Sequence, residues 1–479
     1  MNWISVAMFL QRLWALLLTP LVFITGASAS VMKLAGDDAI QATRREYIYD
    51  NDRLLLGAYT DWVAHGSNQM TTVASAATAA LAQEAGLDFI IAGNQGRGVH
   101  DLDELLDNYG SQGLGVILPD YNAPAAMGWS EEDPTGAWLS LTCDNYKSHP
   151  ALWGDEVFDE PGASRFPSLR VQTEHYYTLN TGRLPFINLN PSPKDVESQV
   201  PGWLRFLLPG TRHTDTWLDA YRRYVAEFIS TVDTDVLSVD IYPLRLSGGK
   251  RQTGDTWLLV LEALAEAARD TGRDLWAITQ AGGTYGRPED IAIWGEVWTP
   301  NTLPDQLQQD YASLAFGAKA IIYAMLQGGW YSDGSHMLDK DGNKTETYDA
   351  VQQANAQLRP FAEKYGEYNW RGAYLVKSWK AAGARYDLFN GLPKKERPKI
   401  SSCDGLLVGC FDKNEGDGNA YVITNIMELR DEKTAACAVT FPAGKAVTVY
   451  GGGEVKTYTN GGRVELTLGP GDGRFITVE

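Results

Sequence analysis

The chain is poor in the residues that most metal and nucleophile chemistries need. It has four cysteines and six histidines in 479 residues. No Cys-x-x-Cys, His-x-x-x-His or strand-borne His-x-His spacing occurs, so neither a zinc site nor a metal-dependent hydrolase barrel finds its ligands. No Gly-x-Ser-x-Gly follows a strand-like run and no P-loop motif is present, which removes serine-hydrolase and phosphate-loop chemistry. No metal and no cofactor is expected. Positive charge is also scarce: 41 Lys and Arg against 60 Asp and Glu leave a net charge of −19. A surface that acidic repels polyanions, so nucleic acid and anionic membrane are poor partners.

Long apolar runs are confined to the first 30 residues. That stretch has one Arg, no acid, an apolar core from Leu13 to Ile24 and the small-residue pattern Ala27-Ser28-Ala29. It reads as a secretory signal over 1–29, which predicts a secreted or periplasmic chain with no membrane span once it is removed. In an exported protein Cys403 and Cys410 are spaced to bridge across "CDGLLVGC", or they stand on strands and never meet.

What the sequence does hold is a core and a rhythm. With 44% hydrophobic and 21% charged residues it is not disordered by composition. Short apolar runs start near 54, 87, 113, 151, 184, 235, 274 and 318, and amphipathic stretches such as "TWLDAYRRYVAEFISTV" separate them. Eight strand–helix pairs predict a (β/α)8 barrel over 30–365. After Tyr365 the runs become short, alternating and Gly/Asn-punctuated, with Asn460-Gly461-Gly462 reading as a hairpin turn. Residues 366–479 are expected to form a β-sandwich.

In such a barrel the polar groups at the carboxyl ends of the strands make the active face. These are Asp61 and Trp62, Asn94, Asp120 and Tyr121, Asp159 and Glu160, Asn188 and Asn190, Asp240 and Tyr242, Gln280, and Gln327 and Trp330. Strand 4, "ALWGDEVFDEP", is the most acidic of them. Strict alternation places Glu156, Phe158 and Glu160 on one face and Asp155, Val157 and Asp159 on the other. Glu156 and Glu160 then lie about 13 Å apart, too far to act together. Glu160, the last acid before Pro161, is the candidate proton donor.

"DEP" at the end of strand 4 resembles the Asn-Glu-Pro that carries the acid/base glutamate of clan-A glycoside hydrolases. The pattern is also similar to bacterial polysaccharide-utilisation glycosidases with "GDEP" on strand 4, "YP" on strand 6 and "VQ" on strand 7. Here those positions read Asp159-Glu160-Pro161, Tyr242-Pro243 and Thr279-Gln280, and the resemblance spans roughly 54–365. It implies a glycosidase acting on a carbohydrate substrate. Two positions depart from it: Asp159 stands where Asn is expected, and Gln280 where a nucleophilic Glu is expected. An amide forms no glycosyl ester, so the second carboxylate must come from elsewhere. Asp240 is favoured over Asp120, Glu289 and Glu296 because it ends a strand two away from Glu160.

The leading expectation is therefore a glycosidase with Glu160 and Asp240 as catalytic residues. Trp62, Asn94, Asp120, Tyr121, Asp159, Asn188, Tyr242, Gln280 and Trp330 are expected to bind sugar, by stacking or by hydrogen bonds. Gln280 also motivates a non-catalytic carbohydrate-binding protein on the same barrel.

Overall fold

The computed structural model describes residues 39–42, 45–60, 64–65, 69–70, 74–92, 102–119, 146–179, 182–197, 213–247, 250–254, 256–284, 302–328, 332–376, 392, 397–401 and 405–479. The expected signal over 1–29 lies outside them. Among the described residues no helix is long and apolar enough to cross a membrane.

Eight parallel strands close into a barrel: β1 (Leu55–Thr60), β2 (Phe89–Ala92), β3 (Gly115–Pro119), β4 (Leu152–Asp159), β5 (Leu184–Leu189), β6 (Val236–Ile241), β7 (Asp274–Gln280) and β8 (Ala318–Ala324). They pair in chain order, and β8 returns to β1. The helices around them are α1 (Ala76–Glu84), α2 (Leu102–Ser111), α3 (Phe166–Leu179), α4 (His213–Thr231), α5 (Trp257–Thr271), α6 (Leu303–Ala315) and α7 (Glu346–Leu358). Their ends follow from local chemistry. Gly272 closes α5 in the left-handed conformation at φ 73°, and a Thr302–Asp305 capping box with Pro304 opens α6.

The barrel is filled rather than hollow. At its lower end Trp153 stacks on Tyr49 and Phe89 with centroids 4.8 and 5.4 Å apart, while Trp276 packs on Phe89 and Phe186. Gly115 is required here, because a Cβ would lie 2.1 Å from the Trp153 indole. Above this aromatic floor the filling turns polar. Tyr59 donates to the buried Glu156 carboxylate at 2.9 Å.

Strict alternation along β4 fails twice, first at Trp153, which is skipped between the Val116–Leu152 and Ile117–Gly154 pairs. Glu156 pairs with Phe186, but the next pairs are Phe158–Ile187 and Asp159–Asn188, so Val157 is an extra, bulged residue. A bulge reverses the side-chain parity beyond it. Asp159, expected on the face opposite Glu156, therefore joins Glu156 inside the barrel, whereas Asp155 points outward to the Tyr176 hydroxyl of α3.

Beyond the short helix α8 (Ala362–Gly366) comes the antiparallel sandwich. Its strands are β9 (Tyr368–Val376), β10 (Lys399–Ile400), β11 (Leu406–Lys413), β12 (Asn419–Asn425), β13 (Ala435–Phe441), β14 (Val447–Gly451), β15 (Glu454–Tyr458), β16 (Gly462–Leu468) and β17 (Gly473–Val478). One sheet runs β9-β11-β12-β17-β14-β15 and the other β10-β13-β16. The turn at Asn460-Gly461-Gly462 thus carries the chain from one sheet to the other and does not close a hairpin. Cys410 is a free thiol inside the sandwich core, its pKa pushed up to about 12 by burial, and Cys403 lies outside the described residues.

Glu479, just past β17, ties the two parts together. Its carboxylate accepts from Lys364 of α8 at 2.8 Å, Lys413 of β11 at 2.7 Å and the Tyr368 hydroxyl at 3.1 Å. The hydrogen bonds from Lys364 and Lys413 hold its pKa down at about 2. A carboxylate depressed in the folded state stabilises above its unfolded pKa of about 4.3, and that contribution is lost as pH falls through the folded value. Partly exposed ion pairs of this kind contribute about 1 kcal/mol or less. Glu479→Gln is expected to lower the thermal midpoint slightly at pH 7. The gap to the unmodified protein should close between about pH 4 and pH 2, as read by calorimetry across pH.

Candidate active site

The carboxyl ends of the barrel strands bring three carboxylates together at the tips of β4 and β6. The inward positions of β5 are Leu184, Phe186 and Asn188, and those of β6 are Val236, Ser238 and Asp240. In both strands apolar residues sit low and polar ones high. The bulge in β4 brings Asp159 level with Asn188. The Asn188 amide nitrogen donates to Asp159 Oδ1 at 3.0 Å and to Asp240 Oδ1 at 2.9 Å, and its oxygen accepts from Ser238 Oγ at 3.3 Å. All of its side-chain hydrogens are spent on acids. Asn188 was expected to meet a sugar hydroxyl; here it joins two carboxylates.

Glu160 adopts φ 49°, a left-handed conformation that costs a non-glycine residue on the order of 1 kcal/mol. Surrounding contacts hold it there. Its N–H donates to the Asn188 carbonyl at 2.8 Å, and Lys194 Nζ donates to its carbonyl at 3.1 Å. The Tyr224 hydroxyl of α4 donates to the Pro161 carbonyl at 2.6 Å. Asn190 Nδ2 approaches Glu160 Oε2 at 3.4 Å, and Ser192 fixes the Asn190 oxygen through its N–H at 2.9 Å and its hydroxyl at 2.5 Å. The Glu160 carboxyl lies near enough to Asp240 for each to affect the other's ionisation.

Neighbouring buried carboxyl groups cannot all be ionised at low cost, and the charge of each raises the proton affinity of the others. Burial is the first reason that the Glu160 pKa is raised, followed by the charge of Asp159. Asp240, only 8% exposed, is pushed well above the usual carboxylate range by burial and then by Glu160 and Asp159. Burial also raises Asp159, against the Asn188 hydrogen bond and the charge of Lys194. Burial and mutual charge thus favour the neutral form of all three carboxyl groups.

The remaining expected residues divide cleanly. Tyr242 is half-buried after β6, packed against the aromatic filling of the barrel. Gln280 is buried at the end of β7 and its amide serves the chain itself. Oε1 accepts from the Leu244 N–H at 3.1 Å, and Nε2 donates to the Leu244 and Gly282 carbonyls at 3.3 and 3.2 Å. Trp62, Asn94, Asp120, Tyr121 and Trp330, like Asp61, Glu289 and Glu296, lie outside the described residues. Reading the sequence missed Ser238, Tyr224 and Lys194. Ser238 carried a signal, since it shares the face of Asp240 two positions away; the helix-borne Tyr224 carried none.

No protein-family model and no curated protein matches the chain. Solved structures do share its backbone. One described as a glycoside hydrolase aligns with a TM-score of 0.51 and 12% identity, covering 92% of this chain and 97% of its own. The chain shares the fold of that protein, an eight-stranded parallel barrel with an antiparallel sandwich. Weaker likenesses include the α-L-fucosidase isoenzyme 2 of Paenibacillus thiaminolyticus, with a TM-score of 0.46 at 9% identity over 89% of this chain and 99% of that one. The GH99 endo-α-mannosidase of Bacteriodes thetaiotaomicron follows with a TM-score of 0.43 at 12% identity over 66% and 98%.

The Tyr224 contacts give a test of how the site is held. Tyr224→Phe leaves the buried Pro161 carbonyl, and the Asn190 N–H that reaches the same hydroxyl at 3.3 Å, without their partner. An unsatisfied buried group costs about 1–3 kcal/mol. Urea denaturation should show a loss in that range with an unchanged slope.

Proposed function

We propose that this protein is a glycoside hydrolase that cleaves O-glycosidic bonds of a poly- or oligosaccharide, with Glu160 as proton donor and Asp240 as the second carboxylate. The observation that carries this reading is the cluster of Asp159, Glu160 and Asp240, whose proton affinities burial and mutual charge raise, at the carboxyl ends of the strands of an eight-stranded parallel barrel. Glu160 would protonate the leaving oxygen as the bond to the anomeric carbon breaks. Asp240, left ionised, would face the positive charge that develops there.

Paired carboxylates work about 5–5.5 Å apart in retaining enzymes and about 6.5–9.5 Å apart in inverting ones, where a water must fit between. Asp159, next to Glu160, and Tyr242, two residues beyond Asp240, are assigned to the sugar's site by their places in the chain. Trp62, Asn94, Asp120, Tyr121 and Trp330 remain assigned to it by their places after the strands. The signal-like character of 1–29 supports action outside the cytoplasm.

Release of reducing ends from a panel of polysaccharides, followed by the same assay on Glu160→Gln, tests the proposal. The variant should lose at least about 100-fold in kcat while oligosaccharide binding by calorimetry persists. An undiminished rate removes Glu160 from the mechanism. Saturable binding with no ends released by the unmodified protein identifies a carbohydrate-binding barrel instead.

The pH profile gives a second check. The donor must be protonated, so activity falls as pH rises through the pKa of the pair; loss of the Asp159 charge lowers that pKa. Asp159→Asn should move the alkaline limb of kcat/KM to lower pH.

A further inference from the structure

We infer that the seam between the lower end of the barrel and the sandwich is a second binding site, built for a neutral carbohydrate chain. It stands on its own geometry, apart from the carboxylate cluster at the other end of the strands.

Two hollows make up the seam. One, of about 340 Å³, lies among Asp235, Asp274 and Lys319 at the amino ends of β6, β7 and β8, the carboxyl end of α5, and Asn369 and Trp370 of β9. The other, of about 980 Å³, runs from Tyr47 and Tyr49 to Lys413 and Glu415. They share Asn51, Asp52, Gly366 and Asn414, so they form one trough. Each has the volume of a small-molecule site, about 300–1,000 Å³. Asp235 precedes β6 and Asp240 stands near its far end, about 16 Å away along the strand. The trough is thus remote from the proposed reaction.

The lining decides what the trough can hold. Acidic side chains outnumber basic ones along it, which disfavours an anion. Its cations are also engaged: Arg45 with Asp233 and Asp235 at 2.6 Å, Arg269 with Asp270 at 2.7 Å, and Lys413 with Glu479 at 2.7 Å. The amides are not. Asn51 is half-buried and Asn369 exposed, and neither side chain has a hydrogen bond among the described residues. Asn414 donates to the Gly366 carbonyl at 3.0 Å and leaves its side-chain oxygen unused. Arg273, only 5% exposed, donates through Nη2 to the carbonyls of Ile40, Ile229 and Val232, while its Nε and Nη1 hydrogens have no acceptor. A hydroxyl both donates and accepts, so a run of hydroxyls can pair with amides and carboxylates in one place. An apolar ligand would bury the same groups unpaired.

A rigid platform stands beside them. Phe89, Trp153, Tyr49 and Tyr47 stack in sequence with centroids 5.4, 4.8 and 5.2 Å apart. Tyr47 ends the stack and lines the larger hollow, its hydroxyl fixed on Asp235 at 2.7 Å. A ring held in this way loses little freedom when the apolar face of a sugar packs against it.

Binding is read without turnover, on the full chain carrying Glu160→Gln. The side-chain amide NMR signals of Asn51 and Asn369, assigned with Asn51→Ala and Asn369→Ala, should shift saturably with cellohexaose, xylohexaose, mannohexaose or maltohexaose at millimolar concentration. The double alanine variant should bind the same sugar about tenfold more weakly, as read from the Trp370 indole signal. Its thermal midpoint should not move, because neither amide has a partner to lose. Amide signals that stay still with every one of these sugars overturn the proposal. So does a shift with inorganic phosphate in their place, which marks an anion site. If the amides respond but the unmodified protein cuts no polysaccharide, the hydrolase reading fails and the seam site stands. If polysaccharide is cut while the amides stay still, the seam site fails alone.

Discussion

The carboxyl end of this barrel is organised by a single electrostatic constraint: three carboxyl groups meet in a space too small and too dry for three charges. Desolvation and mutual repulsion both act against ionisation and raise the proton affinity of all three. The Asn188 amide acts the other way on two of them, donating to one oxygen each of Asp159 and Asp240. Without the amide, two buried carboxyl groups would lose a donor at once.

That cluster exists only because the scaffold departs from regularity at two adjacent points. The extra residue Val157 turns Asp159 inward, where an unbroken strand would have sent it toward the helices. The left-handed Glu160 then carries the next carboxyl toward Asp240. Both departures are irregular backbone stabilised by ordinary contacts: the Asn188 carbonyl, Lys194, and Tyr224 on the Pro161 carbonyl. Strain at a site is tolerable where its surroundings over-determine it, and the hydrogen bonds converging on 159–161 do so.

The fold was legible because it depends on repetition. Eight apolar runs separated by amphipathic ones admit few closed arrangements, and the polar residues at the ends of the runs mark one face of the barrel. The site was legible only in outline. Periodicity assumes a uniform pleat, so it assigned Asp159 to the wrong face; nothing in "EVFDEP" announces that Val157 is the residue to bulge. Asn188 could be placed at the mouth but not given its partners, because a polar side chain at a strand end is equally suited to a ligand or to its neighbours. Tyr224 was hidden altogether, since on a helix it reads as one more aromatic of the buried face.

Gln280 shows how a position can be read correctly in place and still be misread in purpose. At the end of β7 a retaining clan-A enzyme would present its nucleophile, and an amide there suggests a lost carboxylate. The hydrogen bonds give it another task. Its Nε2 faces two carbonyl oxygens and its Oε1 faces one N–H, so the site calls for a donor on one side and an acceptor on the other. A glutamate would direct an acceptor at two acceptors in a buried setting, a pairing that no rotation about its last bond relieves. What Gln280 holds is Leu244, the root of the hairpin Leu244–Ser247 and Lys250–Thr253 that follows β6. The returning strand of that hairpin ends beside Leu244, and there Thr253 Oγ1 approaches Glu428 of the sandwich at 3.4 Å, while Gln308 of α6 reaches the neighbouring Met427 carbonyl at 2.9 Å. The amide thus belongs to a chain of contacts that braces the β6 side of the mouth, and with it Asp240, against the second domain. On this account the sandwich supports the barrel's active face, and the neutral residue on β7 is a structural requirement of that support.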